Sequence, residues 1–144
     1  MSILPIPPAH TATDPIASPA DLRQRWRALV GASTSDEHLL RFAFVGVDRR
    51  LITVLSEVPI HGIRPATLVD DLMVSLAVLV AGIGEGSSVA FLLTRPGTGG
   101  VSRADRAWVD ALVAGAAEHG VPIEPVFQAR GGDVVPVLPG SAAA

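Results

Sequence analysis

The sequence predicts a single α/β domain, an N-terminal helix followed by ββαβαββ, with a mixed sheet flanked by helices. Three observations carry this expectation. The run Ser87–Thr94 is apolar without alternation, as in a strand covered on both faces. Helical periodicity with start and stop signals appears three times, after Ser18, Pro65 and Ser102. Short runs rich in β-branched and aromatic residues lie between and after these helices. A chain of 144 residues, 49% of them hydrophobic, fits one domain with a full core. The domain is placed at 18–138, with a disordered Pro-rich arm over 1–17 and a flexible tail over 139–144.

The first helix begins at Ser18-Pro19-Ala20-Asp21, where a serine cap, a proline at the first helical position and a capping acid coincide. Leu22, Trp26, Leu29 and Val30 share its inner face, and Arg23, Arg25 and Arg27 read as a solvated outer face. Leu39–Val47 and Leu51–Val58 read as a hairpin turned at Asp48-Arg49-Arg50, with Glu57 as a water-facing acid. Pro65 opens the second helix, which is expected to run to about Ala81. Its core face holds Leu68, Leu72, Leu76 and Leu79 with Val69, Met73 and Val80. Val74 and Val78 fall on the opposite side, one turn apart, which implies cover from the first helix or from another subunit.

The third helix, about Arg103 to Glu118, opens on the capping box Ser102-Arg103-Ala104-Asp105 and closes at His119-Gly120. Gly115 in its interior calls for close backbone approach, expected against the sheet. Val121–Gln128 and Val134–Leu138 are proline-broken strands that form an outer hairpin around Arg130-Gly131-Gly132.

The net charge of -3 argues against nucleic-acid binding, which needs a concentrated basic face. All eleven basic residues are arginine, and there is no cysteine for a disulfide or a thiolate metal site. No signal peptide is visible, and the longest apolar run, within Leu72–Ile83, reads as too short to span a bilayer. The expectation is a cytoplasmic protein without membrane contact. The four histidines, at 10, 38, 61 and 119, have no metal-binding spacing. No G-x-S-x-G elbow is present. The strongest local chemistry is the loop after the buried strand. Arg95, Gly97, Gly99, Gly100 and Ser102 stand at the carboxyl end of that strand and at a helix N-terminus, where a small anion could be held.

The segment Phe91–Asp105, followed by Arg106–Gly120 and Val121-Pro122-Ile123-Glu124-Pro125-Val126, resembles the second half of RadC-type JAB/MPN domains. Those carry H-x-H-P-S-G, S-x-x-D, a helix and a G-[IV]-P strand. The resemblance places their histidines at about Leu93 and Arg95, the serine at Ser102 and the metal-binding aspartate at Asp105. With both histidines missing and the spacing one residue short, it implies a scaffold with no metal and no cofactor. The D-L-R-x-R-W helix, the P-G…S-x-x-D-R-A-W stretch and G-V-P-x-E-P-V more closely resemble small uncharacterised actinobacterial α/β proteins over most of 19–138, which implies no particular activity. The leading expectation is therefore a non-catalytic protein-interaction or assembly module, a homo-oligomer or bound to a protein partner, with Val74 and Val78 as its interface. An anion-binding module using loop 95–102 comes second, and a hydrolase third.

Overall fold

The computed structural model describes residues 6–31, 37–96, 100–130 and 133–139. After a 3-10 turn at Ala9–Thr13 the elements are α1 (Pro19–Val30), β1 (Leu39–Val45), β2 (Ser56–Pro59), α2 (Pro65–Ile83), β3 (Ser88–Thr94), α3 (Arg103–His119), β4 (Phe127–Arg130) and β5 (Asp133–Pro136). This is the predicted helix plus ββαβαββ order. The five strands form one mixed sheet in the order β2-β1-β3-β4-β5. β1 is antiparallel to both β2 and β3, β3 and β4 are parallel, and β4 and β5 are antiparallel. Every residue of β3 is buried, because it is the middle strand and both of its faces are covered.

Alternation along the strands divides the core in two. Leu40, Phe42, Val89, Phe91 and Leu93 face α2 and α3, with Met73, Leu76, Trp108 and Leu112. Ala43, Val45, Ala90, Leu92 and Phe127 face α1, with Leu22 and Trp26. The start of α1 follows from its cap. The Ser18 hydroxyl accepts from the Asp21 N–H at 3.2 Å, and Asp21 accepts from the Ala17 N–H at 2.9 Å. Helix α2 has no side-chain cap at its start. At its far end the Ser87 hydroxyl donates to the carbonyls of Val80 and Gly84.

Several elements differ from expectation for identifiable reasons. The second run of the hairpin pairs only at Ser56–Pro59, apart from a bridge between Val45 and Leu51. Phe42 opposes Ser56 while Val45 opposes Leu51, so the second run holds two extra residues and bulges between the two pairings. Ile16 is buried and exchanges a backbone bond with Arg49, so the segment expected to be a disordered arm is packed here. The arginines of α1 do not form a free face. Arg23 donates to the Val134 carbonyl and pairs with Asp133, Arg25 donates to the carbonyls of Asp14 and Pro15, and Arg27 is buried and bonds Gln24. Arg23 clamps β5, and Arg25 the N-terminal segment, onto the helix.

Gly115 does allow close approach, but to α2 rather than to the sheet. A Cβ there would lie 2.7 Å from Val69 Cγ1. On the far side of the sheet Arg49 adopts a left-handed backbone (φ 62°), uncommon for a residue other than glycine. Its guanidinium grips Glu124 with two bonds of 3.0 and 2.9 Å, and the Ser88 hydroxyl donates to the same carboxylate at 2.6 Å. The Arg49 bond holds the Glu124 carboxyl below its ordinary pKa, against the opposing effect of burial. That network ties the hairpin corner, β3 and the segment before β4 together.

Candidate functional site

Two features stand out, a polar cluster at one end of the sheet and an apolar face on α2. The cluster lies where β3 and β4 finish and β1 begins. Its centre is Asp105, in the first turn of α3, which is fully buried. One carboxylate oxygen, Oδ2, accepts from the Ser102 N–H at 2.8 Å and from Arg95 Nη1 at 2.8 Å. The Ser102 hydroxyl in turn accepts from the Asp105 N–H at 3.1 Å, completing the capping box that the sequence predicts. Burial alone would raise the Asp105 pKa. The Ser102 N–H, Gln128 and Arg95 outweigh it and hold the carboxyl below the ordinary value.

Gln128 joins Asp105 from β4. It is wholly buried on a strand whose neighbours are apolar, and its Oε1 accepts from Arg130 Nη2 at 3.4 Å. His38 enters from the start of β1. Burial lowers its pKa, the Asp105 charge opposes that shift, and Arg95 and His61 reinforce it. Of the buried side-chain atoms without a hydrogen-bond partner among the described residues, His38 Nε2 and Arg130 Nε and Nη1 lie together on the α3 side of this end, beside the contact between Asp105 and Gln128. Trp26 Nε1, Arg41 Nε and Thr94 Oγ1 belong to the α1 side of the sheet, with Arg41 Nε 3.8 Å from Glu57. Native interiors leave few such atoms.

Of the anion loop read from the sequence, Gly97 and Gly99 lie outside the described residues, and Gly100 is exposed. Arg95 is turned onto Asp105, and Ser102 is engaged as a helix cap. Of the positions where the resemblance would put histidines, Leu93 is buried in the core and Arg95 supplies a cation to the aspartate. At the opposite end of α3, His119 meets Asp70 at 2.6 Å, and Glu118 brings a third ligand-type atom within 4.8 Å. Asp70 and Glu118 are open to water, and the pairing of His119 with Asp70 accounts for the group as an α2–α3 hydrogen bond.

The second feature is the outer face of α2. Val69, Met73, Leu76 and Val80 are buried, as the periodicity predicts. Val74 and Val78 are covered neither by α1, which packs on the opposite side of the sheet, nor by any other of the described residues. They are 51% and 70% exposed, and Leu79, expected on the core face, is 51% exposed as well. The helix extends to Ile83, two residues past its expected end, and by length and composition it is the one described helix that could cross a membrane. Its inner face is nevertheless built into the core. No protein-family model matches the chain, and neither a curated protein nor a solved structure matches it.

Proposed function

We propose that the chain is a non-catalytic assembly module that pairs with a second copy of itself through the outer face of α2. The observation that carries this reading is the exposure of Val74, Val78 and Leu79 together on one helix. Apolar side chains clustered in this way on an otherwise packed domain mark a contact surface. The occupant follows from what the face lacks. From Leu72 to Gly84 there is no charged residue, so the surface offers nothing to select a charged partner. Ser75, Ala81 and Gly82 are small and exposed beside the valines, which lets a second helix approach closely. A twofold pairing of α2 with α2 sets the same stripe against itself and leaves Asp70, Asp71 and Glu85 outside the contact.

Completing the burial of these three side chains gives about 1 kcal/mol each, roughly 6 kcal/mol for the pair. Association itself costs about 4 kcal/mol or more, so the dimer is expected to be reversible rather than permanent. Light scattering across a concentration series tests this. The wild type should shift from monomer towards dimer as concentration rises. The double variant Val74→Asp/Val78→Asp should stay monomeric with an unchanged circular-dichroism spectrum. A wild type that remains monomeric at the highest concentration, or one that partitions onto lipid vesicles instead, would overturn the reading.

A further inference from the structure

We propose that the end of the sheet where β3 and β4 finish binds a small oxyanion, with Arg130 and His38 as its donors and Arg95 as a neighbouring positive charge. The placement follows from strand register. Leu39 pairs with Thr94, and Thr94 pairs with Ala129. His38, Arg95 and Arg130 are the residues next to these three, so they form the terminal row across three strands. Alternation turns that row to the side of Leu40 and Leu93, the side on which α3 presents Asp105 and on which Gln128 lies.

Arg130 Nε and Nη1 are buried and have no hydrogen-bond partner among the described residues, and the same is true of His38 Nε2. The two guanidinium nitrogens can only donate, and the imidazole nitrogen can donate as well. Gln128 beside them is 0% exposed and already engaged, its Oε1 by Arg130 Nη2 and its amide by the Asp105 carboxylate. A buried set dominated by donors is completed by an acceptor-rich group. The charges agree with this. Arg95 neutralises Asp105, whereas Arg130 takes part in none of the ion pairs among the described residues. One guanidinium therefore stays uncompensated in a half-buried place, which favours a carboxylate or phosphate over a neutral ligand. The site depends on neither the α2 face nor its pairing.

The test uses the full chain and two probes, inorganic phosphate and acetate, with ionic strength held constant by chloride. Thermal unfolding and calorimetry should show a saturable stabilisation by at least one of them, and the stronger response tells a phosphate site from a carboxylate site. Arg130→Gln should weaken that binding at least about tenfold. His38→Leu removes the second donor and should weaken the response as well, with the circular-dichroism spectrum unchanged. If Arg130→Gln fails to fold, His38→Leu carries the same comparison. The proposal is overturned if neither anion gives a saturable shift, or if both variants bind like the wild type.

Discussion

Asp105→Asn removes one charge at nearly constant volume from the most buried carboxylate among the described residues, and its cost can be worked from the contacts. Two bonds of 2.8 Å, from the Ser102 N–H and from Arg95, lose their ionic character. A hydrogen bond to a charged group contributes about 1 kcal/mol more than a neutral one, so the two together account for about 2 kcal/mol. Arg95 limits the loss. Its side chain is 34% exposed and can turn to water, so the variant strands no buried cation. For a domain of this size the change corresponds to a fall in Tm of about 6–8 °C. Urea unfolding at a series of pH values is the assay. The folded-state pKa of Asp105 is depressed, so its contribution is fully present above the ordinary aspartate value, about 4, and disappears as the pH falls through the lower folded value. The gap between wild type and variant should therefore hold at neutral pH and close in acid. Equal stability at pH 7, or a gap that does not shrink in acid, would refute the reasoning.

Two other substitutions test the packing. Gly115→Ala should destabilise the fold by about 1–3 kcal/mol in chemical denaturation although alanine is the better helix former, because its Cβ would press on Val69 Cγ1. A stabilised variant would show that α2 and α3 are not in close contact. Glu124→Gln should cost about 1 kcal/mol at pH 7, a figure kept small by the exposure of Arg49. That cost should likewise fade below the ordinary glutamate range, since the folded Glu124 pKa is lowered. A cost that persists unchanged in strong acid would assign it to packing rather than to the ion pair.

The parts of the fold that were legible in the sequence are those set by local rules. The caps at Ser18 and Ser102, the helical faces around Trp26 and Met73, and the unbroken apolar run of β3 need only near neighbours or a two-sided burial that leaves its mark on composition. What was not legible depends on contacts far apart in the chain. The bulge before Ser56 is set by pairing with β1, and the α1 arginines are drawn to carbonyls on β5 and in the N-terminal segment. Leu79 looked internal because leucines recur through α2, yet the face that packs is the one that meets Gly115 of α3. For the polar cluster, Arg95 was visible as a lone cation after a buried strand, and Asp105 was visible only as a cap. His38, Gln128 and Arg130 were missed because three strands must align before they meet. A local signal did exist, since Gln128 and Arg130 are polar at alternate positions and so share one face of β4.

The proposed pairing of α2 with α2 of a second copy can be trapped covalently. Because the chain has no cysteine, a single introduced thiol can form disulfides only between molecules. Cysteine placed singly at Val74 or Val78 would sit at the contact, whereas Ala107, exposed on α3, provides a site away from it. A disulfide needs the two Cα atoms within about 7 Å, so random collision is a poor source of it. Under mild oxidation at least one of Val74→Cys and Val78→Cys should convert to covalent dimer much faster than Ala107→Cys, with dilution slowing the reaction as the reversible pair dissociates. Dimer formation at both α2 positions no faster than at Ala107 would contradict the claim.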